Sequence, residues 1–191
     1  VDAIAAKPDN FLSVSIDLGG MLVLAGNEAG LAAFEAAVEP LQGRFPMRLG
    51  NHAAFHTELQ APVAAQGRAM LSPGLFTQPD LPLIDGRGEI WWPKTVSTDA
   101  LWDYTLGAQV TESYDFTRAV TVVAREFAPD LFIVTGPGNT LGGAVVQSLI
   151  LANWRGMGGK EDFKSVQESS PVLASMGLPE QRATVLGAGM R

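Results

Sequence analysis

Cysteine is absent from the 191 residues, which excludes disulfides, thiolate nucleophiles and cysteine-ligated zinc, and is neutral on compartment. Positive charge is scarce: 13 Lys and Arg stand against 20 Asp and Glu, for a net charge of −7. Phosphate backbones and anionic membrane surfaces call for a surplus of cations, so neither nucleic acid nor membrane is an expected partner. No apolar run reaches the roughly 18 residues of a spanning helix. The start, Val1-Asp2-Ala3-Ile4-Ala5-Ala6-Lys7, lacks the basic end and long apolar middle of a signal peptide, which leaves the cytoplasm as the expected location. An initiating Met is also missing, so the chain reads as a processed product or a piece of something longer. Nor is there a Gly-x-Ser-x-Gly nucleophile elbow anywhere in the chain.

What is present is a core-forming composition, 47% hydrophobic and 17% charged, enough for one large domain or a domain with a small subdomain. Residues 11–17 alternate apolar and polar, as a half-buried strand does. Leu18-Gly19-Gly20 reads as a turn into a second strand, residues 21–25, and the pair is predicted as a hairpin. Gly26-Asn27 opens a helix over 28–40, with Leu31, Phe34, Val38 and Leu41 at helical spacing. Residues 44–49 are predicted as a third strand. Strand, strand, helix and strand suggest an antiparallel sheet covered by a helix, one half of a ferredoxin-like unit.

A helix is expected over 56–70, with Pro62 in its first turns, where a missing N–H costs least. The Pro- and Gly-rich residues 71–82 read as a connection between subdomains. Leu83-Ile84 is a short strand, Asp85-Gly86-Arg87-Gly88 a turn, and Ser97-Thr98-Asp99 the cap of a helix running to 108. Another helix covers 115–127. Residues 130–135 form a buried strand that enters Gly136-Pro137-Gly138-Asn139-Thr140-Leu141-Gly142-Gly143 and a helix to 153. Strand, Gly-rich turn and helix in this order belong to a parallel α/β sheet. Beyond Arg155 the periodicity is weak, and 155–191 is expected to be a loosely packed tail with a short helix near 179–183.

Both histidines of the chain, His52 and His56, fall within residues 49–56. Imidazole titrates at about 6.5, so His56 is the chain's leading candidate for proton transfer. The spacing of four between His52 and His56 would suit a metal on a helix. However, neither an HExxH order nor a third ligand is present, and Gly50-Asn51 argues against a helix over His52. The preferred metal reading is therefore none. Gly136-Pro137-Gly138 does not match the dinucleotide fingerprint, since Gly142 comes one residue late and Pro137 removes a donor. A tight turn accounts for these glycines better. Trp91-Trp92 reads as a packing lid between subdomains. With no nucleophile elbow, His56 has nothing in this chain to activate, and as a freestanding hydrolase or transferase the sequence is incomplete.

Four segments, in order, resemble the C-terminal half of malonyl-CoA:acyl-carrier-protein transacylases and the acyltransferase domains of fatty-acid and polyketide synthases. They are Gly20-Met21-Leu22-Val23-Leu24-Ala25-Gly26, Ala54-Phe55-His56, Leu106-Gly107-Ala108-Gln109 and Gly136-Pro137-Gly138-Asn139-Thr140-Leu141, spread over residues 11–150. The resemblance implies an α/β fold in two parts, an α/β-hydrolase-like core with an inserted ferredoxin-like subdomain. On that basis residues 1–52 would be the small subdomain, 53–154 the C-terminal part of the core and 155–191 the tail. It also implies ping-pong acyl transfer, with no tightly bound cofactor. Malonyl-CoA would be the acyl donor and the phosphopantetheine arm of acyl carrier protein the acceptor.

By motif, the catalytic base falls on His56, oriented by the backbone carbonyl of Gln109. Phe55 stands where malonyl-selective members carry Phe, and its ring would crowd an α-methyl branch in the substrate pocket. Met21 replaces the family's Gln, Ser15 and Asp17 stand in place of Asn, and Val134 replaces a Glu. The nucleophilic serine, an oxyanion-hole contributor and the arginine that pairs with the malonyl carboxylate belong to the N-terminal half, so that half is an expected partner. Two other readings compete with this one: a non-catalytic remnant or interaction module that keeps the fold, and, more distantly, a metal-dependent hydrolase using His52 and His56.

Overall fold

Local chemistry sets each element before any of them meet. After a short helix α1 (Asp2–Ala5), strand β1 (Leu12–Leu18) buries Leu12 and Ser15. Gly19 and Gly20 turn the chain into β2 (Met21–Gly26). Gly19 sits at φ 63°, and a Cβ there would lie 2.5 Å from the Ala144 carbonyl oxygen, so only glycine serves. Strand β5 (Tyr114–Asp115) joins the far side of β1, giving the order β2-β1-β5. A computed structural model describes residues 1–50 and 52–187 of the chain; Asn51, within the histidine stretch, and the last four residues of the tail lie outside the described residues.

The chain divides into two units, Val1–Asp17 with Leu22–Tyr114, and Leu18–Met21 with Asp115–Arg191. In the first, helix α2 (Glu28–Ala37) starts at Asn27, whose side chain accepts from Gly30 N–H at 2.9 Å and from Phe11 N–H at 3.0 Å. It stops short of the predicted 40, because Pro40 pushes its predecessor out of the helical region. The strand predicted over 44–49 does not form. A single bridge pairs Leu41 with Phe45, and Arg48 reaches back to Glu28 and Glu35 of α2 at 2.8 and 2.7 Å. Pro46 removes a ladder donor from the middle of that segment.

Helix α3 (Ala61–Met70) follows a 3-10 turn at Glu58–Gln60, with proline in its first turn as expected. Strands β3 (Leu83–Ile84) and β4 (Ile90–Trp91) pair antiparallel around residues 85–89. Ser97 caps α4 (Thr98–Asp103), accepting from Ala100 N–H at 3.2 Å. The helix does not end at 108 as predicted. It passes through a π-helical turn (Tyr104–Ala108) into α5 (Gln109–Thr111).

In the second unit, Asp115 accepts from Arg118 N–H at 2.7 Å and opens α6 (Phe116–Val122), which continues as a π turn to Phe127. Strand β6 (Phe132–Val134) runs through the glycine turn into α7 (Leu141–Leu151). The expectation of a loose tail is overturned here. Helix α8 (Lys160–Ser169), strand β7 (Leu173–Ser175) and helix α9 (Pro179–Val185) follow, and β7 pairs parallel with β6. Val172 and Met157 are 1% exposed and join Leu149, Val145, Val134, Val120 and Trp154 in one apolar core. Weak periodicity misled because β7 is a fully buried parallel strand, and such strands do not alternate.

The result is a mixed α/β chain. No helix among the described residues is long and apolar enough to cross a membrane.

Candidate active site

The site is built within the first unit, around the backbone that presents His56. This residue precedes the helical turn instead of opening it as predicted, and its φ is +55°, in the left-handed region. Such a conformation costs an L-residue roughly 1–2 kcal/mol, and two buried hydroxyls hold the chain there. Ser15 Oγ, from β1, donates to the Phe55 carbonyl at 2.8 Å, and Thr57 Oγ1 donates to the Ala54 carbonyl at 2.7 Å. Both residues are 3% exposed. A hydrogen bond in such surroundings is costly to leave unmade, which makes the loop conformation specific.

The imidazole is held from the other direction by a helix end. Glu112 N–H donates to the Ala108 carbonyl at 2.8 Å, and Glu112 itself is extended. The carbonyl that follows, that of Gln109, belongs to the final turn, where acceptors outlast the helical ladder. His56 Nδ1 lies 2.6 Å from it. A carbonyl oxygen only accepts, so neutral His56 carries its proton on Nδ1 and donates it to Gln109. The lone pair is thereby assigned to Nε2. An imidazole in this tautomer, braced at one nitrogen and bare at the other, can take a proton from a hydroxyl or thiol and return it.

Tyr114 closes the third side, its ring centroid 5.4 Å from that of His56 and tilted by 48°. Behind it lies the turn after β3. Buried Asp85 accepts from the backbone N–H groups of Arg87 and Glu89, from Trp91 Nε1 at 3.2 Å and from the Arg87 guanidinium at 2.7 Å. Gly86 N–H donates to Tyr104 Oη at 2.9 Å. Burial pushes the Tyr114 phenol above its usual pKa, and it does the same to Tyr104 more strongly than the Gly86 hydrogen bond opposes it.

The other predicted residues fall as follows. Phe55 is 49% exposed and meets His52 edge to face, with ring centroids 6.1 Å apart. His52 is exposed, and no group of three or more His, Asp or Glu able to hold a metal occurs among the described residues. Trp91 packs against Tyr104 at 5.8 Å, while Trp92 is 51% exposed. Sequence reasoning brought His56 and Gln109 together through the resemblance. It passed over Thr57 and Tyr114, and it treated Ser15 only as a departure and residues 85–88 only as a turn. The rarity of tyrosine, two in the chain, was the available signal.

No family model matches the chain, and no curated protein does. Solved structures do match its fold. The malonyl-CoA:acyl carrier protein transacylase of Xanthomonas oryzae pv. oryzae superposes with a TM-score of 0.69 at 19% identity, over 98% of this chain and 52% of that one. The acyl-carrier-protein S-malonyltransferase of Burkholderia pseudomallei gives 0.68 at 18%, over 97% and 52%. The acyltransferase domain from the second module of the salinomycin polyketide synthase gives 0.62 at 18%, over 98% and 39%. The chain therefore has the fold of part of these acyltransferases and spans about half the length of the transacylases it matches.

Proposed function

We propose that this chain is the C-terminal portion of an acyltransferase that moves a malonyl-type group from CoA to acyl carrier protein. The observation that carries the reading is the hydrogen bond from His56 Nδ1 to the Gln109 carbonyl. It joins the two residues that the family motifs assign to the base and its orienting group, 53 positions apart in sequence. The likeness of fold to malonyltransferases supports the same reading. With it goes the finer division into an α/β-hydrolase-like core and a ferredoxin-like small subdomain.

The chemistry assigned to this chain is proton transfer. A serine outside these residues attacks the thioester carbonyl of malonyl-CoA while Nε2 of His56 takes its proton. The C–S bond breaks, the proton passes to the departing CoA sulfur, and malonyl remains esterified to serine. The phosphopantetheine thiol of the carrier protein then gives its proton to His56 and attacks the ester. Serine regains the proton as the new thioester forms. Gln109 holds the imidazole in the tautomer that keeps Nε2 bare, and its carbonyl favours the imidazolium formed in each half-reaction. Phe55 borders the acyl group and disfavours an α-methyl branch.

The test is transfer of labelled malonyl from CoA to carrier protein, with the nucleophile-bearing half supplied. His56→Ala is expected to abolish transfer with little loss of stability. Turnover near that of the unaltered protein would sink the assignment.

A further inference from the structure

We infer that Tyr114 is a positioning residue for the His56 imidazole, and that Gly86 is the residue that admits it. The inference rests on the acyltransferase reading only for its consequence in turnover, not for the geometry. A hydrogen bond from Nδ1 fixes one ring atom, but an imidazole held by a single bond still swings about it. A flat surface against the ring removes that freedom. Tyr114 supplies the surface, 5.4 Å away between centroids.

The approach of Tyr114 depends on a missing side chain. A Cβ at Gly86 would sit 2.7 Å from Tyr114 Cγ, inside any real contact. Gly86 cannot retreat, because its N–H is bonded to Tyr104 Oη and its neighbour Asp85 is gripped by Arg87, Glu89 and Trp91. Arg87 is stacked 4.3 Å over the Tyr104 ring, which stiffens the same turn. The order of support runs from Asp85 to Gly86, then Tyr114, then His56. A catalytic imidazole displaced by about 1 Å forfeits rate on the order of a hundredfold, so such a wall has a function that packing alone does not require.

The experiment is NMR of the 191-residue chain labelled at histidine, in which only His52 and His56 report. In the unaltered chain His56 is expected to show the Nδ1–H tautomer and ring-current shifts from Tyr114, with His52 as the internal reference. Tyr114→Leu, which fills space without a flat ring, should erase the ring-current shifts and move the His56 nitrogens toward tautomer averaging. Gly86→Ala should do the same with Tyr114 still present. Tyr114→Phe should restore both signatures. His56 nitrogen shifts that keep the Nδ1–H tautomer in Tyr114→Leu and Gly86→Ala would overturn the inference, since loss of the ring-current shift alone reports only that the ring has left. Should Tyr114→Leu unfold, Gly86→Ala and Tyr114→Phe decide alone.

In the transfer assay kcat should fall ten- to a hundredfold in Tyr114→Leu with KM nearly constant, and recover in Tyr114→Phe. If the acyltransferase reading is wrong, no protein transfers malonyl yet the histidine spectra still change. If the positioning is wrong, the His56 nitrogens keep the Nδ1–H tautomer in both variants whatever the activity and whatever the ring-current shifts.

Discussion

His56 donates through Nδ1 to the main-chain oxygen of Gln109 over 2.6 Å, so the partner of the only half-buried histidine is a backbone atom at a helix end. A carbonyl cannot be protonated and cannot be removed by changing a side chain. Gln109→Ala should therefore keep the His56 tautomer and most of the transfer activity. Gln109→Pro, which breaks the helix around that carbonyl, should cost both. Histidine NMR and the transfer assay read the two variants.

Ser15→Ala leaves the Phe55 carbonyl without its buried donor. We expect a loss of about 1–3 kcal/mol in urea denaturation, with Ser15→Asn tolerated better than Ser15→Leu. Thr57→Ala should cost a similar amount, and the double variant less than the sum, since both hydroxyls hold one loop.

Both tyrosines titrate above their usual value because burial disfavours the phenolate. Their folded pKa values exceed the unfolded ones, so this contribution to stability is complete below the unfolded value of about 10 and is lost as pH rises through the folded values. Absorbance of the phenolate should thus appear at higher pH in the folded chain than in the urea-unfolded one. Early titration of one tyrosine in the folded chain would contradict its burial.

Leu149 is fully buried in the core of the second unit, and Leu149→Ala should destabilise by roughly 2–5 kcal/mol. A chain ended after Asn153 loses Trp154, Met157, Val172 and Leu173 from that core. Calorimetry should find no cooperative transition for the second unit in the shortened chain.

Phe55→Ser removes an aromatic ring beside His56. In the transfer assay it should raise the rate with methylmalonyl-CoA relative to malonyl-CoA, by about tenfold for one lost steric contact. An unchanged ratio would mean that Phe55 does not border the acyl group.

Residue-level chemistry was sufficient wherever a signal is local. The caps at Asn27 and Ser97 and Pro62 in a first turn all act within a few residues of where they stand. So did the strand, glycine turn and helix over 132–151, whose parallel grammar is realised in the pairing of β6 with β7. The sequence by itself also determined that histidine, the side chain best suited to proton transfer near neutrality, stands at only two positions. Only the tertiary structure decided the rest. Every residue offers the same carbonyl, so local chemistry does not mark which oxygen will brace an imidazole 53 positions away; the family resemblance named that of Gln109, and the fold makes the contact. The left-handed turn at His56, Tyr114 seated on Gly86, and the burial of 172–175 each depend on partners distant in the chain. Their stability comes from burial and hydrogen bonds that exist only once those partners meet.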